Sequence, residues 1–216
     1  LLAAMVVLPR ALSSGGESEE TSSGAETAGG WTAPDSPVVT KEVRAALEKA
    51  CEKLTGATYE PIAYLGSQVV AGTNYRILCK RTLSAMIAEP TYAIVTVYED
   101  LEGNAEITEI LTSEATVNVT DVAIDGGWAA NETLEMTKEA ADALTNGTKR
   151  IVGSTYSSVA LLATQIVSGT NYCMLCEVTP VTENPESYYA IVVVYKGADG
   201  NTSMVETYAF SSEAAE

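Results

Sequence analysis

Cys173-Met174-Leu175-Cys176 carries the thiol spacing that can grip a metal ion or cycle between dithiol and disulfide. The surrounding residues read as a β-strand, where positions three apart point to opposite faces, so these thiols cannot share one ion or close one bridge. They are read as structural. Cys51 falls on the apolar stripe of a helix, and Cys79 shares strand parity with Tyr75 and Ile77, so both face a core. Export could join them in one disulfide. Later in the chain, however, Thr148 stands where Cys51 would be repeated and Cys176 where Cys79 would be, which favours buried free thiols.

Other chemistry is sparse. The chain has no histidine, which removes Ser-His and Cys-His nucleophile pairs and the commonest transition-metal ligand. Glu48, Glu52 and Asp142 belong to solvated helix faces, with nothing to hold two carboxylates together. No enzymatic activity, cofactor or metal is expected. A net charge of -17 disfavours nucleic acid and anionic membranes, since both require basic groups against phosphate, and points to a neutral or basic protein partner.

The strongest binding signal is Gln68-Val69-Val70-Ala71-Gly72-Thr73-Asn74-Tyr75, which recurs as Gln165-Ile166-Val167-Ser168-Gly169-Thr170-Asn171-Tyr172. Apolar residues lead directly into a glycine turn. A glycine there accepts positive φ and lets a partner's backbone come close, while bare valines supply area that becomes dry only in a complex. The competing reading is a permissive turn whose valines pack on a neighbouring domain.

The elements that must carry this motif occur twice. A gapless spacing of 97 residues, that separating Trp31 from Trp128, also superposes Thr40-Lys41-Glu42 on Thr137-Lys138-Glu139, Tyr59 on Tyr156 and Cys79 on Cys176. It further superposes Tyr92-Ala93-Ile94-Val95 on Tyr189-Ala190-Ile191-Val192. Two copies of this length indicate a domain duplication, with domains at 29–113 and 126–216, a linker at 114–125, and alternating Val117, Val119, Val122 and Ile124 hinting at a strand in that join. In the first copy Val43, Ala46, Leu47, Ala50, Cys51 and Leu54 mark a helix that Thr40 caps. In the second, Asn146-Gly147 inside the stripe should weaken or shorten the helix by about 1 kcal/mol. Residues 59–70, 73–82, 92–99 and 105–111 then read as four strands, which implies an α+β fold: an antiparallel meander folded over one helix in each copy.

Ahead of the copies, Leu1–Pro9 is an apolar run suited to a secretory signal and too short to span a bilayer, with Ala11-Leu12-Ser13 a tolerable cleavage site. Residues 1–28 are expected to comprise that remnant and a flexible Ser/Gly/Glu leader, and the protein to be secreted. Asn118, Asn131, Asn146 and Asn201 begin glycosylation triplets, meaningful in a host that glycosylates its exports.

A leading Gly-Gly, one helix, a Gln-x-Val-x-Gly hairpin followed by Asn-Tyr, and a second hairpin downstream resemble the cystatins, with "QVVAGTNY" especially similar to the small disulfide-free stefins. The likeness covers nearly all of both copies. It implies two tandem cystatin-like domains, each an antiparallel four- to five-stranded sheet wrapped around one helix. It also implies an inhibitor that occludes the cleft of papain-like cysteine peptidases reversibly. The implied wedge is Gly29 and Gly30, then Gln68, Val69, Val70, Ala71 and Gly72, then Leu101, Glu102 and Gly103. In the second copy it is Gly126 and Gly127, then Gln165, Ile166, Val167, Ser168 and Gly169, then Ala198, Asp199 and Gly200.

Neither copy has the Pro-Trp common in the family's second hairpin. Ala198-Asp199 offers little apolar contact and Gly126-Gly127 follows the join, so the first copy is the expected inhibitor. The alternative is a non-inhibitory extracellular binding or structural module, since fold does not fix function.

Overall fold

A computed structural model of the protein describes residues 29–84, 89–116, 119–120 and 126–212. The signal and leader expected at 1–28 lie outside the described residues, as does most of the join. Both helices fall on the apolar stripes, α1 at Lys41–Cys51 and α2 at Lys138–Thr148, although α1 stops short of Leu54, which lies exposed beyond its end. Thr40 and Thr137 accept the third helical N–H of each, from Val43 and Ala140, as N-caps do. α2 is as long as α1, contrary to the expected shortening. Gly147 is tolerated because a Cβ there would stand 2.8 Å from Val194 Cγ1, so the small residue lets the helix lie close against the sheet.

The strands dominate. The first copy contributes β1 (Trp31–Thr32), β2 (Ala57–Val70), β3 (Gly72–Leu83), β4 (Thr91–Glu99) and β5 (Ala105–Thr116). After these come β6 (Val119–Thr120), β7 (Trp128–Ala130), β8 (Ser154–Ile166), β9 (Gly169–Pro180), β10 (Tyr188–Gly197), β11 (Thr202–Ala209) and β12 (Ser211–Ser212). They form two six-stranded sheets, ordered β1-β2-β3-β4-β5-β12 and β11-β10-β9-β8-β7-β6, antiparallel throughout except where β6 lies parallel to β7. The sheets exchange strands. β12, from the end of the second copy, pairs with Leu111 and Thr112 of β5, and β6, which follows β5, joins the other sheet beside Trp128.

The expected α+β pair of helix-wrapped sheets is therefore corrected to a mostly β fold, with two short helices among the described residues. Each helix covers one outer sheet face: Val43, Ala46 and Leu47 pack on Ile77, Cys79, Val95 and Val97, and Ala140, Ala143 and Leu144 on Met174, Cys176, Val192 and Val194. The largest core contains no helical residue. It lies between the sheets, where Leu78 and Ile94 meet Leu162, Leu175, Ile191 and Val193. The physical reason is that β3, β4, β9 and β10 are apolar on both faces, as the run Ala190-Ile191-Val192-Val193-Val194 illustrates, and a single helix covers only one of them.

Candidate functional site: the hairpin edges

Three segments far apart in sequence meet at one end of the first sheet. Antiparallel pairing brings Trp31 beside Gln68 and Thr73 beside Glu99, so Gly29-Gly30, the Val70-Ala71-Gly72 turn and the Leu101-Glu102-Gly103 turn stand in a row. Gln68 ties the row together. Its Nε2 donates to the Gly29 carbonyl oxygen at 2.9 Å while its Oε1 accepts from Asn74 Nδ2 at 2.8 Å, and Gly29 N–H donates to the Val69 carbonyl at 3.1 Å. Tyr98 braces the turn from behind by donating its hydroxyl proton to the Ala71 carbonyl at 2.6 Å.

Gly72 is required by its surroundings. Its φ is +129°, and a Cβ would collide with the Glu99 carbonyl oxygen and come within 2.9 Å of the Tyr98 ring. At the neighbouring turn Asp100 Oδ1 accepts the backbone N–H groups of Glu102 and Asn104, both at 2.8 Å, and Oδ2 accepts from Asn104 Nδ2 at 2.9 Å. These bonds, led by the Asn104 side chain, hold the Asp100 carboxyl below its ordinary value of 3.8. Lys49, near the end of α1, donates to the Gly103 carbonyl.

The second copy builds a comparable edge. Gln165 Nε2 donates to the Gly126 carbonyl at 2.8 Å and its Oε1 accepts from Asn171 at 2.7 Å, while Tyr195 and Ser168 share a hydroxyl hydrogen bond of 3.3 Å. Gly126 thus holds the same position as Gly29, although a join precedes it. Asp199 accepts from the backbone and side-chain N–H groups of Asn201 at 3.0 and 2.6 Å, which lower its pKa. Ala198, Asp199 and Gly200 are exposed beside Gly169.

The apolar load differs between the edges. In the first it is shared by Val70, 43% exposed, and Leu101, 86% exposed; in the second it sits on one hairpin, with Ile166 at 67% and Val167 at 45%. None of the four belongs to a core cluster of the described residues, and neither does Val69, which is half-buried. Every residue expected at the wedge lies on one of these edges. The bracing residues Lys49, Tyr98, Asp100 and Asn104 were not expected. Of these only Tyr98 and Asn104 carried a signal, through their counterparts Tyr195 and Asn201.

The four cysteines are free thiols, three of them buried. Cys173 faces the core between the sheets and Cys176 the core under α2, as strand parity required, and burial pushes both thiols up to about 12. Cys51 and Cys79 are free thiols of one cluster, both raised by burial. Among the described residues no helix is long and apolar enough to cross a membrane. Compared with known families and curated proteins, the chain matches no family model and no curated sequence.

Proposed function

We propose that this protein is a reversible inhibitor of papain-like cysteine peptidases, whose first edge enters the active-site cleft and occludes it. One observation carries the reading: glycine arm, first turn and second turn stand side by side, with Val70 and Leu101 bare at their tips. A groove with apolar walls would dry those side chains, and a few such anchors dominate interfaces of about 1,600 Å² in total. The hydrogen bonds of Gln68, Tyr98 and Asp100 fix the edge before contact, so docking forfeits little conformational freedom. No bond is made or broken. The apolar run Leu1–Pro9 makes secretion the setting we propose, and amino-terminal sequencing of the exported chain tests it.

The test of function is titration of the full chain against papain. Submicromolar competitive inhibition that Val70→Asp together with Leu101→Glu weakens is the expected result. Absence of inhibition by the unaltered chain at high micromolar concentration overturns it, leaving the non-inhibitory binding module as the reading.

A further inference from the structure

The two edges are held apart by the way the copies pack. The Arg76 guanidinium, close behind the first edge, lies 3.9 Å from the centre of the Trp31 ring and 6.0 Å from that of Tyr189. Tyr189 is near the start of β10, whose far end, Gly197, belongs to the second edge. The reciprocal contact is present: Tyr92, near the start of β4, packs beside Trp128 and Cys173, close behind the second edge. Arg76 and Cys173, Tyr92 and Tyr189, and Trp31 and Trp128 are equivalent positions of the two copies. Exchanging the copies therefore reproduces the contact, which is the signature of an isologous, two-fold arrangement.

In such an arrangement the root of each edge abuts the end of the other copy's β4 or β10 that is remote from that copy's own edge. β4 has 9 residues and β10 has 10, and at ~3.3 Å per residue this separates the tips by roughly 25 Å or more. Separation of this kind is what simultaneous occupancy needs. Had the copies packed with their edges abreast, the sheet spacing of about 10 Å would have placed one edge in the other's shadow.

We infer that both edges are occupied at once, so that one chain bridges two papain-like peptidase molecules. This rests on the function proposed above. The second edge does so with its apolar load concentrated on Ile166 and Val167, and therefore enters a cleft through one hairpin where the first uses two.

The experiment is sedimentation of the full chain with excess papain whose active-site thiol is blocked. Two papain molecules per chain are expected at saturation. Val70→Asp with Leu101→Glu should leave one, Ile166→Asp with Val167→Asp should leave one, and all four together none. A limit of one papain on the unaltered chain, with inhibition intact, overturns bridging and leaves the inhibitor reading standing. No complex and no inhibition removes both. A partner-free measurement checks the geometry alone. Spin labels attached through a non-cysteine handle at positions 101 and 198 should lie roughly 25 Å or more apart, and a separation under about 15 Å overturns the proposal whatever the sedimentation shows.

Discussion

Gln68 donates from Nε2 to the Gly29 carbonyl oxygen at 2.9 Å, and Gln165 repeats the bond to Gly126 at 2.8 Å. In each copy a strand residue thereby restrains the glycine arm beside the turn it accompanies. Gln68→Ala removes this bond and the one from Asn74, which at about 1 kcal/mol each predicts a stability loss of 1–2 kcal/mol if neither is replaced by water. Amide exchange at Gly30 should accelerate and affinity for the partner fall about tenfold, measured by hydrogen exchange and titration.

Gly72→Ala should cost about 2 kcal/mol or more, because the added carbon meets the Glu99 carbonyl oxygen, a backbone atom, at a φ that L-residues avoid. Denaturant melts check this. Ala71→Ser, on the exposed bend, should change stability by less than about 0.5 kcal/mol, separating the geometric demand at 72 from general sensitivity of the turn.

Ile191→Ala should destabilise by about 2–5 kcal/mol, as for a fully buried side chain, and should do so for both sheets in one transition, since Ile191 lies in the core they share. Two separate melting steps would show that the sheets unfold independently. For the same reason an isolated 29–113 fragment, which uncovers Leu78 and Ile94 and lacks β12, should aggregate or bind hydrophobic dyes where the full chain does not.

Asp100 provides the pH prediction. Its folded pKa is depressed, principally by the Asn104 side chain, so its contribution to turn order is complete above the ordinary value of 3.8 and is lost as pH falls through the lowered value. The Asn104 amide resonance should titrate with a midpoint below 3.8, and Asp100→Asn should remove that titration.

Much of this was legible in the residues. The Thr40 cap, the two helical stripes and the strands leading to each Gly turn follow from the local residue pattern, and the doubled motif marked both hairpins. What periodicity does not express is which neighbour covers a second apolar face. Leu78 and Ile77 alternate across β3, one toward the other sheet and one toward α1, and both are fully buried. A reading that assigns one helix to one sheet leaves Leu78 uncovered, and its resolution, a second sheet, depends on contacts more than eighty residues distant. The braces at the edges escaped for a similar reason: the hydroxyl of Tyr98 and the ammonium of Lys49 act on carbonyl groups that only the folded register brings near.

Arg76 is wedged between Trp31 and Tyr189, whereas its counterpart Cys173 lies beneath Tyr92. A chain built of two first halves would have to lodge a guanidinium where a thiol now fits, and one built of two second halves would leave a hollow where the guanidinium lay. The joint between the halves is thus built from unlike residues at matching positions, a guanidinium between two rings in one place and a thiol in the other.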